Sequence, residues 1–561
     1  MSEKEIVGTV VGVTNPREFY FSITPNKVRL QDLVAVDTFR LDDSGNKTDE
    51  ILRVWAKVGE IERINPLFPQ EAGQELAFQQ TSAFDTVISL SREMITAKCR
   101  VLGIEQDGEL QPLTYPLQPA SSVYVPEKND VEQLIVGEVP EYRQLHIGHQ
   151  RSKSNVKICI DGHAIVARHL AVLAATGAGK TVTVRRILEE LIECNYPILI
   201  FDPHGDYVGL QVVFPNRVTI YTPTIDLTEE SPDTIIKYIQ GLSGEVIEGP
   251  QEDLLVGLLE LLTDKDYRTQ IEGWMDEYAS RYQKNILNLA SNHFWAIMGL
   301  ASFLVNDLKR SDIWDDEAKP FLANVNSSLA GFRDGSMFAI IRKTNKAGKQ
   351  YNSMRKINQY ATGNAIELPN KSDLGKIIKI GRVSIISLEG YSDELRQSIV
   401  ATIVEQLLED RVDEKIPRFL TVIEEAHNFI PGYSEAAIGI TPSLPILKRV
   451  ATEGRKYGMG LILISQRPSR VDSTILSQCN SYIIMKIINP ADQRYVRDVV
   501  ESIGEEDAAI LPDLATGEAL ITGQCVRFPM LAKIEMPKSV GKHEEEDFIK
   551  GFLPQQQSLF T

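Results

Sequence analysis

The octapeptide AATGAGKT at residues 174–181 constrains this chain more than any other feature. It follows an apolar run, HLAVLAA (169–175). After it comes TVTVRRILEELIE, in which Val184, Ile187, Leu188, Leu191 and Ile192 recur at helical spacing. A buried strand, a glycine-bearing loop and an amphipathic helix in that order point to a parallel α/β architecture. The loop suits phosphate, which needs several N–H donors on a tight turn, hence Gly177 and Gly179, and a helix N-terminus aimed at the anion. Lys180 is expected to reach the β- and γ-phosphates, and the Thr181 hydroxyl to ligate Mg²⁺. Nucleotide-binding candidates are Thr176, Gly177, Ala178, Gly179, Lys180, Thr181 and Val182. The pattern GxxxxGK[ST] begins with glycine, and Ala174 stands there instead. Its small side chain at a strand end should be tolerated. The bland alternative is a glycine-rich turn with an exposed lysine.

The same alternation continues. YPILIFD (196–202), VSIISL (383–388), RFLTVIEE (418–425), GLILIS (460–465) and SYIIMKI (481–487) read as buried strands. SIVATIVEQLLEDR is a helix with Ile399, Val400, Ile403, Val404, Leu407 and Leu408 on one face. These pieces imply a doubly wound, mainly parallel sheet, assigned to residues 140–230 and 376–535. Residues 231–375 interrupt it with helical stretches and are taken as an insertion. Ahead of the core, five short β-branched runs between residues 4 and 103 suggest a β-barrel, assigned to residues 1–130. The proline-containing stretch 115–130 reads as a linker. Residues 536–561 form a tail that includes the amphipathic piece HEEEDFIKGF.

A phosphate loop needs a carboxylate on a neighbouring strand. FLTVIEEAHNF (419–429) ends an apolar strand in Glu424, assigned to the magnesium-water shell, and Glu425, assigned to polarising the attacking water. Consecutive strand residues point to opposite faces, so both acids serve one site only if the chain turns there. A solvated acidic strand end is the alternative. His427 reads equally as a nucleotide sensor or a structural histidine. Gln466, at the tip of the 460–465 strand, is a candidate contact for the γ-phosphate or the attacking water, or marks a plain strand-to-loop transition. In FDPHGDY (201–207), with Asp202, His204 and Asp206 round a Pro/Gly turn, an Asx-type turn accounts for most of the pattern, and a direct catalytic role is the lesser alternative. Arg455, with Lys456, sits beside a helix end, where basic groups cap carbonyls. The sharper reading makes Arg455 an arginine finger for a neighbouring subunit, and Arg151 a second candidate for reaching across an interface.

Composition removes other classes. With 77 acidic and 59 basic residues in 561, the formal charge of −18 excludes a chain-wide electrostatic grip on DNA. Any such contact must be local. From Gly335 to Ile366 there is no acidic residue, while Arg342, Lys343, Lys346, Lys349, Arg355 and Lys356 supply six positive charges. That window is the candidate DNA contact. An exposed basic loop or a subunit contact is the equal alternative. No apolar run approaches the ~20 residues of a membrane span. Five scattered cysteines, none in a CxxC pair, suit reduced thiols and a cytoplasmic protein.

RHLAVLAATGAGKT, the FDPHGDY strand end, TVIEEAHNF, EGRKYGMGLILISQRPS and ILSQCNSYIIMKIINPADQRYV together resemble the HerA branch of the HerA/FtsK ATPases, in the family's order. The likeness covers about 140–210 and 380–530, and the N-terminal strands resemble the family's barrel. It implies a RecA-like core acting as an ATPase with ATP and Mg²⁺ at the interfaces of a homohexamer. Double-stranded DNA would pass through the central channel, and a nuclease or Sir2-like effector would dock on the barrel. Relatives serve DNA-end processing and antiviral defence. Two functions follow as rivals: a DNA translocase or helicase working with a separate nuclease, or a nucleotide-binding ring that chiefly assembles and activates an effector. Thr181 stands where serine is frequent in the family.

Overall fold

The computed structural model describes residues 4–539 apart from 25–26, 42–46, 65–93, 107–108, 228–229, 264–268, 270–292, 307–334, 362, 370–373 and 433–440. HEEEDFIKGF lies outside the described residues. The chain divides into two compact units, one formed by residues 1–164, 174–187 and 480–536, the other by 165–173, 188–479 and 537–561.

The first unit begins with a barrel. Its strands are β1 (Glu5–Val11), β2 (Glu18–Ile23), β3 (Leu33–Leu41), β4 (Lys47–Ile64), β5 (Met94–Gln106), β6 (Glu109–Gln111) and β7 (Ser122–Val125). The order β2-β1-β7-β3-β4-β5 closes on itself through antiparallel pairing of β2 with β5. Alternate residues point inward, so Val7, Val10, Phe19, Phe21, Val34, Val36, Val54, Ala56, Val58, Cys99 and Val123 form one interior. The 115–130 linker expectation is corrected here. SVYV within it is a barrel strand, paired on both sides by β1 and β3. Its flanking prolines mark the strand's ends, not a loop. Helix α1 (Lys128–Val136) follows, then a hairpin of β8 (Gln144–Gln150) and β9 (Lys157–Asp161).

The second unit is built on a parallel sheet. Its described strands are β10 (Leu170–Leu173), β11 (Ile198–Asp202), β12 (Val218–Ile225), β13 (Asn364–Leu368), β14 (Val383–Ser387), β15 (Phe419–Ile423) and β16 (Met459–Ser465). They lie in the order β13-β12-β14-β11-β15-β16-β10, and the recorded pairings are parallel. Strands covered on both faces read as unbroken apolar runs, and β11, β15 and β16 are buried at every residue. Helix α2 (Lys180–Glu193) links β10 to β11.

Four described helices fall in the expected insertion: α3 (Pro232–Ser243), α4 (Pro250–Thr263), α5 (His293–Asn306) and α6 (Ser336–Asn358). Helix α6 packs on the other three. The 231–375 boundary needs correcting, because β13 lies inside it and pairs with β12 as the edge of the core sheet. Helices α7 (Asp393–Val412) and α8 (Ser443–Tyr457) complete the alternation. Ser392 caps α7 by accepting from the Leu395 N–H.

The first unit resumes with β17 (Ser481–Ile484), β18 (Glu518–Gly523) and β19 (Met530–Ile534). With β8 and β9 they form an antiparallel set in the order β17-β18-β19-β8-β9. Of SYIIMKI, expected as a strand, SYII forms one, and its β18 partner runs antiparallel to it. In this unit the ammonium of Lys57 on β4 makes a buried ion pair with Asp507, 2.7 Å away on helix α9 (Glu505–Ala509). Among the described residues no helix is long and apolar enough to cross a membrane.

Candidate nucleotide site

Strand β10 ends at Leu173, and the loop that follows holds two residues in conformations glycine favours. Gly177 has φ +77° and Gly179 φ +102°. A Cβ on Gly177 would meet nothing, so backbone conformation alone demands glycine there. One on Gly179 would also crowd Met485 Cε at 3.2 Å. Ala174 is buried and not in the left-handed region, which is why alanine replaces glycine without strain. The loop is held within its own unit. Ala175 N–H donates to Lys486 O (2.8 Å), Gly517 N–H to Ala178 O (2.9 Å) and Thr183 Oγ1 to Gly179 O (3.0 Å). The N–H groups of Gly177 and Gly179 have no protein acceptor among the described residues. Thr176 is exposed, Ala178 buried, and Lys180, Thr181 and Val182 are half-buried in the first turn of α2. Unengaged N–H groups beside a helix N-terminus and a lysine fit a polyphosphate.

The acidic residues belong to the second unit. Strand β15 delivers Glu424 and Glu425 just past its end, and Glu425 takes φ +51° before a 3-10 turn at Ala426–Asn428. This left-handed step costs a non-glycine residue about 1 kcal/mol and supplies the turn that consecutive acids require. Glu424, 1% exposed, accepts a hydrogen bond from the Tyr207 hydroxyl. Glu425 Oε2 lies 3.4 Å from His427 Nδ1, which is 3.3 Å from Ser465 Oγ. Ser465 ends β16, and half-buried Gln466 follows it, so Glu425, His427 and the β16 tip are neighbours.

Strand β11 contributes a carboxylate of a different kind. Asp202 Oδ1 accepts from the N–H groups of His204 (3.2 Å), Gly205 (2.8 Å) and Asp206 (3.1 Å), and Oδ2 from that of Tyr207 (3.0 Å). The Asx-type reading of FDPHGDY is the geometry observed. Burial pushes the Asp202 carboxyl upward, while the N–H groups of Tyr207, Asp206 and His204 draw it part of the way back. Sequence reasoning missed Tyr207 and Ser465. Tyr207 had a cue in its place at the end of the Asx loop, whereas Ser465 had none.

The basic candidates fare unequally. Arg455 is exposed in the last turn of α8, which closes on Gly458 in the left-handed conformation. Arg151 Nε pairs with Glu518 of its own chain at 3.1 Å. On α6, Lys346, Lys349, Arg355 and Lys356 are exposed, and Arg342, 69% exposed, pairs with Glu245 at 2.7 Å. Lys343 is corrected as a DNA contact. It is 5% exposed, and its ammonium donates to Val246 O and to Gln251 Oε1 (2.6 Å), its pKa lowered by burial.

Residues 145–407 match the family described as helicase HerA, central domain. A probable helicase of Methanocaldococcus jannaschii is 26% identical over 560 residues, which covers 94% of this chain and 95% of that protein. The DNA double-strand break repair helicase HerA of Pyrococcus furiosus is 27% identical over 79% of this chain and 78% of its own. The protein of the same name from Sulfolobus acidocaldarius is 29% identical over 68% and 67%.

Proposed function

We propose that this chain, a P-loop ATPase carrying the HerA helicase central domain, turns ATP hydrolysis into movement along double-stranded DNA. The loop from Thr176 to Val182 holds the triphosphate through its N–H groups. Lys180 neutralises charge that builds on the β- and γ-phosphates as the bond between them breaks. Glu425 orients the attacking water and takes its proton, with Gln466 as a second polar contact at the γ-phosphate. Magnesium bound with the nucleotide would spread the phosphate charge, with the Thr181 hydroxyl and a Glu424-held water as the protein's contribution. The working form in this reading is a homohexamer. Arg455 is its trans-acting group, and a nuclease or Sir2-like effector is the partner, in DNA-end processing or antiviral defence.

One observation carries the reading: the left-handed Gly177 and Gly179, whose N–H groups meet no protein acceptor among the described residues, directly ahead of Lys180 and Thr181 at the start of α2. A triplex-displacement assay tests it. The wild-type protein should displace the third strand only with hydrolysable ATP. Lys180→Ala should do neither, and Glu425→Gln should bind ATP yet hydrolyse it about 10²–10⁴-fold more slowly. Hydrolysis without displacement would replace the motor with an assembly platform. Normal turnover in the Gln variant would remove Glu425 as the base.

A further inference from the structure

Two carboxylates end adjacent parallel strands of the second unit, and the chain treats them differently. Phe201 of β11 is in register with Ile423 of β15, so Asp202 and Glu424 are the next residues of the two strands. Both are almost wholly buried. A buried carboxylate is costly unless hydrogen-bonded. Asp202 meets that need with four backbone N–H groups from residues 204–207, which fold the loop back on the strand end. The last of the four belongs to Tyr207. Its side chain is fully buried, and its hydroxyl donates to Glu424 Oε2 across 217 positions of sequence.

We propose that Tyr207 is a positioning residue for ATP hydrolysis: its hydroxyl fixes the Glu424 carboxylate, and Asp202 fixes Tyr207 through the loop. The inference rests on the reading of Glu424 as the magnesium-side acid, and it adds a residue that touches neither nucleotide nor metal. A glutamate at a strand end has three side-chain torsions to order, and a hydrogen bond to a charged acceptor removes that freedom before the ligand arrives. The arrangement also explains why a tyrosine is buried beside an acid when phenylalanine would fill the same space without a polar atom.

Tyr207→Phe deletes one oxygen and keeps the packing. The magnesium concentration that half-saturates binding of a fluorescent ATP analogue should rise about tenfold, the loss of one charge-assisted hydrogen bond. The turnover number should fall by a similar factor, while affinity for the analogue in EDTA and the KM for ATP stay at wild-type values. Asp202→Asn, which replaces one of the two acceptor oxygens of the loop, should move the magnesium midpoint in the same direction by less. In a Glu424→Gln background, Tyr207→Phe should add no further shift.

An unchanged magnesium midpoint in Tyr207→Phe overturns the inference. So does a variant that loses analogue binding in EDTA along with thermal stability, because that is a purely structural role. If Tyr207→Phe does not fold, the Asp202→Asn midpoint decides. Wild-type protein that hydrolyses no ATP defeats the functional reading itself, whereas active wild type with an unaffected Phe variant defeats only the role of Tyr207.

Discussion

His169 precedes strand β10, takes φ +62° and is 2% exposed. Its Nδ1 accepts from Leu461 N–H at 3.0 Å, so the proton must sit on Nε2, which donates to Ala451 O at 3.1 Å. One neutral ring thereby ties the start of β10 to strand β16 and to helix α8. Burial lowers its pKa to about 4. The unfolded chain therefore takes up a proton near the ordinary value of 6.5 while the folded chain resists until about 4. Stability from this residue is complete above pH 6.5 and is lost progressively as pH falls towards 4, an effect of about 3 kcal/mol. Urea unfolding followed across that window should show the decline. His169→Gln should be less stable at pH 8 and flatter between the two limits. An identical slope in both proteins would mean that other groups dominate the acid limb. Nothing in the local sequence ARHLAVL separates this clamp from an exposed histidine, because its partners lie 282 and 292 positions away.

At the scale of elements, legibility followed locality. Helices α2 and α7 and strands β11, β15 and β16 announce themselves by period and by unbroken apolar runs. The glycines and Lys180 are equally local, since loop conformation and charge are properties of eight consecutive residues. Strand β7 is four residues between prolines, and only its pairing with β1 and β3 makes it a strand. β13 owes its place to β12 in the same way. Tyr207 and Glu424 meet through tertiary contact, which no window of sequence contains. Helix α6 shows both sides of this. Its run of positive charge is legible, but which lysine faces inward depends on the Val246 carbonyl and Gln251. The DNA contact is therefore tested at the exposed Lys346 and Lys349. Reversing both to Glu should weaken duplex binding and lower the salt slope of log K by about 2, at roughly one counterion per lost phosphate contact. Lys343→Met should leave that slope alone and show its effect in thermal melting. An unchanged slope in the double Glu variant would remove α6 from the DNA contact.

A formal charge of −18 concerns the whole molecule, and it makes self-association by general electrostatic attraction untenable. An oligomer of this chain must rest on specific contacts, and the proposed ring adds one that is functional. Arg455 is exposed at the end of α8, where a guanidinium can serve the γ-phosphate of a neighbouring copy. Arg455→Ala should bind ATP normally and hydrolyse it 10³-fold or so more slowly, if the residue stabilises transition-state charge in trans. Lys180→Ala should be inactive for a different reason, having lost its own phosphate contact. Mixing the two separates cis from trans action. In a random ring, an interface is repaired when the subunit holding ATP retains Lys180 and its neighbour retains Arg455, which happens at about a quarter of interfaces in an equal mixture. ATPase activity of the mixture should then rise well above that of either variant, to a maximum near equal proportions. If Arg455 acted on its own subunit's nucleotide, every interface would lack one of the two groups. The mixture would be as inactive as the average of its parts at every ratio, and the trans assignment would fall.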